Sequence, residues 1–231
     1  MRRAQCRTHS GYRYYRCHIP SERKRFGIRH FKAVIGILGG SFDPPHLGHI
    51  RLAETARDEL GLSRVILIPS GKPPHKDLSG GASGEDRLNM ARLAAGEREW
   101  LEVSDIEFAR EGKTYTFDTV TELRRRNPGE NFCFICGSDM LLSLHKWYRA
   151  EELLKITSFA ALAREENEYE LLCREAEKLR SMGGNIYILR RDPMKLSSTD
   201  FRKNLDKSAL APSVFAYISE KGLYGFGKNR E

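Results

Sequence analysis

The segment 33–61 combines a short apolar run, a glycine-rich turn and an amphipathic stretch. Residues 33–38 (AVIGIL) are typical of an interior strand of a parallel sheet. From Leu47 the apolar residues recur at helical spacing as far as Leu60, and Gly61 favours the end of a helix. A buried strand that passes through a tight turn into a helix indicates an α/β fold.

The same alternation continues along the chain. Further strands are predicted at 64–69, 100–103, 131–136, 157–162 and 185–189, and helices at 47–60, 85–95, 116–126 and 165–180. Strands that alternate with helices imply a doubly wound parallel sheet with right-handed crossovers, and the length suits a single domain. Ligands of such sheets bind at the carboxyl ends of the strands, where the polar motifs of this chain also lie.

The turn after the first strand has the sequence GGSFDPPHLGH at 39–49. Its glycines allow backbone amides to approach a ligand, and the start of the following helix supplies N–H groups and a positive dipole end. His46 and His49 lie about one helical turn apart, so both imidazoles can donate hydrogen bonds from one face. The motif predicts a phosphate site. The alternative is that the glycines only turn the chain and the histidines cap the helix.

Two further groups follow predicted strands. Ser197, Ser198 and Thr199 open a helix, and Arg202 adds a planar guanidinium one turn later, a combination that suits phosphate. Taken alone, these residues are more typical of an ordinary helix cap beside a surface arginine, and it is their pairing with the motif at 39–49 that favours phosphate. Asp139 either accepts the two hydroxyls of a ribose or caps the helix that begins near Met140.

The net charge of +8 comes from the first 32 residues. This arm contains ten Lys or Arg and a single acid, Glu22, whereas the remaining residues have a net charge of −1. The high isoelectric point therefore carries no information about the partner of residues 33–226, the predicted domain, which a short tail at 227–231 follows. The arm has no apolar stretch of signal-peptide length. We expect it to be a dispensable, disordered tail or the product of a misassigned start codon, the alternative being a tether to nucleic acid or anionic lipid.

Cys133 and Cys136 have the C-x-x-C spacing of a metal or redox pair, but they lie in a predicted strand. Residues three apart on a strand point to opposite faces, so buried core cysteines are the better interpretation. Since the chain also lacks an apolar run of about 20 residues, a cytoplasmic location is expected.

Several motifs resemble signatures of the nucleotidylyltransferases. They are GGSFDPPHLGH at 39–49, PSGKPPHK at 69–76, TYTFDT at 114–119, GSD at 137–139 with Trp147 and Tyr148 further on, and LSSTDFR at 196–202. Together and in this order they are similar to the bacterial nicotinate-nucleotide adenylyltransferases, which make deamido-NAD. The resemblance covers residues 33–226 and implies a Rossmann-like fold.

The resemblance also implies roles for individual residues. The implied catalytic residues are His46, His49 and Arg202. The implied ATP-binding residues are Gly39, Gly40, Ser41, Phe42, Gly137, Asp139, Ser197, Ser198 and Thr199. The implied nicotinate mononucleotide-binding residues are His75 and Lys76, which meet the phosphate, and Thr116, Trp147 and Tyr148, which hold the ring. Trp147 as a core residue and the two loop cations as solvated side chains are the alternatives.

The implied reaction is attack of the mononucleotide phosphate on the α-phosphorus of ATP, with Mg²⁺ bound through the ATP phosphates and no protein metal site. ATP and nicotinate mononucleotide are the expected partners, without nucleic acid or membrane, and the sequence leaves homo-oligomerisation open. Alternative acceptors are NMN and phosphopantetheine, with adenylyl or cytidylyl transfer. A class I aminoacyl-tRNA synthetase is weakly suggested by the HLGH and KLSS motifs, but the chain is too short for tRNA-binding domains. A nucleic-acid binder acting through the arm would leave the strand-end motifs unexplained.

Overall fold

The computed structural model describes residues 33–72, 81–163, 168–190 and 198–226, with only the backbone of Asp200. The predicted arm at 1–32 and the predicted tail at 227–231 lie outside the described residues. So do three of the implied site residues, His75, Lys76 and Ser197.

A parallel sheet of six strands forms the centre of the molecule. The strands are β1 (Val34–Gly40), β2 (Arg64–Pro69), β3 (Leu101–Val103), β4 (Asn131–Gly137), β5 (Ser158–Leu162) and β6 (Ile186–Leu189). Their spatial order is β3-β2-β1-β4-β5-β6, and every neighbouring pair is parallel. The doubly wound α/β prediction is therefore confirmed. The strand order reverses between β1 and β4, so a crevice is expected at the carboxyl ends of these two strands.

Helices cover both faces of the sheet. They are α1 (Leu47–Leu60), α2 (Gly84–Ala95), α3 (Thr116–Arg126), α4 (Ser138–Ser143), α5 (Ala150–Ile156), α6 (Glu168–Ser181), α7 (Ser198–Asn204) and α8 (Pro212–Lys221). The bounds of α1 and α3 are as predicted. The sequence did not predict α5 and α8. Among the described residues, no helix is both long and apolar enough to span a membrane.

The two faces of β4 pack into different parts of the core. Cys133 packs with residues of α1, α2 and α8, whereas Cys136 packs with residues of α3, α5 and α6. Both thiols are buried, and burial raises the pKa of Cys133 to about 12. The prediction that this pair consists of core cysteines on opposite faces is confirmed.

The ends of α1 follow from local chemistry. His46 occupies the N-cap position with an extended backbone, and its carbonyl accepts a hydrogen bond of 2.9 Å from the His49 N–H. Gly61 closes the helix in the left-handed conformation, with φ of 65°, which only glycine adopts without steric cost. The strand β1 and the helix α1 therefore fix both ends of the intervening turn 41–46.

Candidate functional site

A cleft of about 560 Å³ lies at the carboxyl ends of β1 and β4. Its volume is within the range of sites for small ligands. Six of the residues singled out from the sequence line its β1 side: Gly39, Gly40, Ser41, His46, His49 and Ser198. Five others line the β4 side: Thr116, Gly137, Asp139, Trp147 and Tyr148. The two groups of motifs thus meet in one cleft, although they are far apart in sequence.

The two histidines of the turn form one stacked unit. Their ring centroids are 3.7 Å apart, and the planes differ by 27°. Nδ1 of His49 accepts a hydrogen bond of 3.1 Å from the backbone N–H of His46. Since that nitrogen is an acceptor, the neutral imidazole carries its proton on Nε2. His49 therefore carries a hydrogen-bond donor, the Nε2–H group, in a ring that lines the cleft.

Phe42 supports this unit from the protein interior. Its side chain is 1% exposed, and its ring meets that of His49 edge-to-face with centroids 4.9 Å apart. Its backbone has a φ of 47°, which is uncommon outside glycine. The structure places this ring behind His49 and not in the wall of the cleft, where a direct ATP contact was expected.

Helix α7 is attached to the same turn. Ser198 Oγ donates a 2.9 Å hydrogen bond to the carbonyl of Pro44, and Arg202 Nη1 donates to the carbonyl of Asp43. Arg202 Nη2 also donates to Thr199 Oγ1 at 3.3 Å. Neither Arg202 nor the exposed Thr199 lines the cleft. In this structure the guanidinium instead holds the turn and α7 together.

A buried carboxylate, that of Asp43, connects the turn to two other segments. Its Oδ1 accepts hydrogen bonds from the Ala82 N–H at 3.0 Å and from the Tyr224 hydroxyl at 2.6 Å. Burial, together with the hydrogen bond to this carboxylate, raises the pKa of Tyr224 well above its usual value. Tyr224 was missed from the sequence, because no local pattern reports a partner so far along the chain.

The opposite side of the cleft is aromatic. Trp147 is half-buried and packs edge-to-face on Phe134, with centroids 5.8 Å apart. Tyr148 is 50% exposed and its ring lies 4.6 Å from that of Tyr115, which is the N-cap residue of α3. Thr116 is the first residue of that helix. Aromatic faces therefore adjoin the positive end of a helix dipole, a combination that suits a planar ring bearing an anionic group.

Asp139 lies in the first turn of α4, directly after β4, and its side chain is exposed. The N-cap position of α4 is occupied by Gly137, which has no side chain that could cap the helix. Asp139 thus follows the N-cap by two residues and does not cap the helix as the alternative interpretation supposed. A carboxylate at the rim of the cleft remains able to accept hydrogen bonds from ribose hydroxyls.

Two charged residues in or behind the cleft were missed from the sequence. Arg87 of α2 is 2% exposed, and Glu107 is 9% exposed and lines the cleft. The buried face of α2 consists of Arg87, Met90, Ala91, Ala94 and Ala95. Those positions have the helical spacing of a core-facing stripe. A charged residue, Arg87, within an otherwise apolar stripe was the signal in the sequence that could have revealed its buried role.

The donor set of the cleft does not form a protein cage for a metal ion. Among the described residues, no three or more His, Cys, Asp or Glu side chains come together in a way that could hold one. The carboxylates at the cleft are those of Glu107 and Asp139, on separate segments. This arrangement fits a hard cation only if the ligand itself supplies most of the oxygen atoms.

Comparisons with known proteins agree with this geometry. The model of the cytidylyltransferase-like family matches residues 37–204. A protein of Listeria innocua named "Probable nicotinate-nucleotide adenylyltransferase" is 36% identical over 196 residues, which are 84% of this chain and 98% of the relative. A protein of Exiguobacterium sibiricum with the same name is 41% identical over 195 residues, 82% of this chain and 98% of the relative.

Solved structures share the fold at lower identity. The nicotinic acid mononucleotide adenylyltransferase of Plasmodium falciparum, complexed with NaAD, superposes with a TM-score of 0.69 at 20% identity. The match covers 84% of this chain and 98% of that one. The strand order, the converging motifs and the extent of the sequence matches lead to one assignment. The chain belongs to the nicotinate-nucleotide adenylyltransferase family, within the cytidylyltransferase-like proteins.

Proposed function

We propose that this protein transfers the adenylyl group of ATP to nicotinate mononucleotide, which yields deamido-NAD and pyrophosphate in NAD biosynthesis, and that it acts in the cytoplasm. One observation carries the proposal. A single cleft joins the His46–His49 turn on its β1 side to the aromatic residues and the α3 N-terminus on its β4 side. The first is suited to phosphate and the second to a ring with a carboxylate.

The reaction needs no protein nucleophile. A phosphate oxygen of nicotinate mononucleotide forms a bond to the α-phosphorus of ATP, and the bond from that phosphorus to the bridging oxygen of pyrophosphate breaks. The attacking phosphate monoester is already anionic near neutral pH. The protein therefore has to align two anionic substrates and to offset the charge that develops on the α-phosphate and the leaving group.

Each group at the turn has a part in that task. Nε2 of His49 donates a hydrogen bond to a phosphate oxygen, and the α1 N-terminus supplies a positive dipole end. His46 stacks on His49 and is 7% exposed, so it keeps the neighbouring ring in place and adds a second imidazole. Arg202 supplies positive charge next to the turn through its contacts with Asp43. Mg²⁺ would be held by ATP phosphates and water, where it neutralises phosphate charge.

The β4 side of the cleft recognises the nicotinate ring of the mononucleotide. Trp147 and Tyr148 offer aromatic faces to the nicotinate ring, while Thr116 and the first N–H groups of α3 offer donors to its carboxylate. At the rim of the cleft, the Asp139 carboxylate accepts hydrogen bonds from the hydroxyls of the adenosine ribose. His75 and Lys76 are proposed to meet the acceptor phosphate, and Ser197 and Thr199 the ATP phosphates.

Pyrophosphate release tests the proposal directly. The purified protein is incubated with ATP and Mg²⁺ together with nicotinate mononucleotide, nicotinamide mononucleotide or phosphopantetheine, and CTP replaces ATP in a parallel series. We expect pyrophosphate release only in the assay that combines ATP with nicotinate mononucleotide, with deamido-NAD as the product. Release only with another acceptor, or only with CTP, would replace the proposed substrates.

A further inference from the structure

Arg87 is buried directly behind the phosphate turn. Its Nη1 donates hydrogen bonds to the carbonyl of Ser41 at 2.8 Å and to that of Ser70 at 2.7 Å. Its Nη2 donates to the carbonyl of Gly71 at 3.4 Å. Ser41 follows β1 and Ser70 follows β2, so one guanidinium joins the carboxyl ends of the two strands.

Local sequence fixes the position of this guanidinium. Ser83 caps α2 by accepting a hydrogen bond of 3.0 Å from the Asp86 N–H, and the Asp86 side chain accepts one from the Ser83 N–H at 3.2 Å. This capping box sets where α2 begins. Arg87 is the next residue, and it faces the sheet with Met90 and Ala91. Its long side chain therefore starts from a rigid helical turn.

The backbone of Gly71 is held on both sides of its Cα atom. Its carbonyl accepts from Arg87, and its N–H donates to Glu107 Oε2 at 3.3 Å. Glu107 Oε1 in turn accepts from Thr119 Oγ1 at 2.8 Å, in the second turn of α3. A Cβ atom on Gly71 would lie 2.6 Å from the backbone oxygen of Glu107, which leaves no room for a side chain. The chain after β2 is thus clamped between a buried cation and a buried anion.

Charge makes this arrangement relevant to an anion site. Backbone carbonyl oxygens carry partial negative charge and would repel a triphosphate in the adjacent cleft. Arg87 engages three of them and keeps its own positive charge, because a guanidinium stays protonated in proteins. In a buried environment that charge acts over a longer distance than a solvated one. Burial lowers the pKa of Arg87, and the charge of Asp43 opposes this effect.

On the basis of the proposed function, we infer that Arg87 is a positioning residue for adenylyl transfer. It fixes the ends of β1 and β2 so that the His46–His49 turn meets the phosphates in the reactive geometry, and it places a positive charge behind that turn. The inference concerns the transition state more than substrate binding, because a displacement of about 1 Å in a catalytic group can cost about a hundredfold in rate.

Two substitutions separate geometry from charge. R87K keeps the charge but lacks the planar fork that reaches three carbonyls, and R87Q removes the charge as well. We expect kcat to fall by about tenfold or more in R87K and further in R87Q, with the KM values for ATP and nicotinate mononucleotide changed by less than about threefold. Steady-state kinetics are measured at a temperature well below the Tm of each variant.

Thr157→Val is the matched control. Thr157 is also buried and donates a hydrogen bond of 2.9 Å to the carbonyl of Phe132, but it lies at the amino-terminal edge of the sheet, before β5. This variant also loses a buried side chain–carbonyl hydrogen bond, so its Tm should fall while its kcat remains that of the wild type.

The outcomes are distinct. A wild-type protein that releases no pyrophosphate with ATP and nicotinate mononucleotide refutes the proposed function itself. An active wild type with R87K and R87Q both within twofold of its kcat would overturn the inference. An R87K protein that does not fold would also overturn it, because it would show that the guanidinium acts through global stability.

Discussion

The guanidinium of Arg202 contacts Asp43 twice, with Nη1 hydrogen-bonded to the backbone carbonyl and 3.7 Å from the Oδ2 atom of the side chain. The two residues are 159 positions apart and belong to the two phosphate motifs. Since Asp43 is buried, its negative charge needs this cation and the hydrogen bonds to Oδ1. The carboxylate is thus the point at which the turn after β1, helix α7 and the C-terminal segment are joined.

Replacement of Tyr224 by phenylalanine tests the C-terminal part of this junction. The variant removes the 2.6 Å hydrogen bond from the hydroxyl to Asp43 Oδ1. Loss of a hydrogen bond to a charged group costs about 1.5–3 kcal/mol, so the free energy of unfolding should fall by that amount. We also expect kcat to fall several-fold, because the turn loses one of its supports. Urea denaturation and steady-state kinetics measure the two effects.

Tyr217→Phe is the control for this variant. The Tyr217 hydroxyl donates a 2.9 Å hydrogen bond to Asp86 Oδ1, in a contact between α8 and α2 that does not line the cleft. The Tyr217→Phe variant should have a lower free energy of unfolding than the wild type and an unchanged kcat. Equal effects of the two substitutions on kcat would show that the Tyr224–Asp43 bond has no special relation to the site.

The raised pKa of Tyr224 gives a dependence of stability on pH. The tyrosine keeps its proton in the folded state at pH values where the unfolded chain, with an ordinary pKa of about 10, has lost it. The folded state then binds more protons than the unfolded state, so the free energy of unfolding falls as the pH rises above about 10. Below that pH this contribution is fully present. Urea denaturation between pH 9 and 11 should show a shallower fall for Tyr224→Phe than for the wild type.

Two substitutions of His49 distinguish its donor from its structural contact. Asparagine places an oxygen near the position of Nδ1, where it still accepts from the His46 N–H, but it has no group at Nε2. We expect His49→Asn to keep its Tm and to lose about a hundredfold in kcat, the usual effect of removing one preorganised donor. Glutamine extends a donor towards the Nε2 position, so His49→Gln should recover part of the loss. A His49→Asn protein with wild-type kcat would contradict the assigned role.

Local patterns were sufficient to predict most of the fold. The bounds of α1, β2 and α3 are as predicted because each combines a clear periodicity with a turn or capping signal at its ends. Helix α5 escaped prediction, since a stretch of seven residues is too short to display a helical period. The opposite directions of Cys133 and Cys136 followed from strand geometry alone.

Two kinds of signal predicted parts of the site. The histidines of the turn were found from the chemistry of their motif and the aromatic pair at 147–148 from the family resemblance, and the structure brings them to one cleft. The ring of Phe42 and the bonds of Arg202 were not, because tertiary packing decides whether a side chain of a motif faces the ligand or the protein. The contacts of Arg87 with three carbonyls likewise depend on the approach of separate loops.

Removal of the basic arm should leave the reaction unchanged. The arm at 1–32 carries all of the excess positive charge, and the cleft is formed by residues from 37 onwards. A truncated protein that begins at Lys32 is expected to keep the kcat/KM of the full chain for both substrates. The comparison is made at two salt concentrations, because an electrostatic contribution of the arm to substrate capture would weaken with ionic strength. A folded truncation with reduced kcat/KM at low salt would contradict this expectation and assign the arm a part in substrate capture.

Discrimination between nicotinate and nicotinamide mononucleotide should depend on Thr116. This residue begins α3 and lines the cleft, so its hydroxyl and the helix N-terminus both present donors and positive potential to the same place. A carboxylate accepts from these donors through two oxygens. The amide replaces one oxygen by an NH₂ group, which leaves a donor facing a donor. Mismatched buried polar groups of this kind can lower kcat/KM by about 10⁴-fold.

Thr116→Val retains the shape of the side chain and removes its hydroxyl. One hydrogen bond to a charged group contributes about 1.5–3 kcal/mol, so the preference for the acid should fall by about 10- to 100-fold while adenylyl transfer continues. Thr116→Ser restores the hydroxyl and should restore the preference. Thr121→Val is the control on the same helix, because Thr121 Oγ1 donates to the Phe117 carbonyl at 2.8 Å and does not line the cleft. The ratio of kcat/KM for the two mononucleotides is measured for each variant. An unchanged ratio in Thr116→Val would transfer the discrimination to the backbone N–H groups of α3, which remain in place in all three proteins.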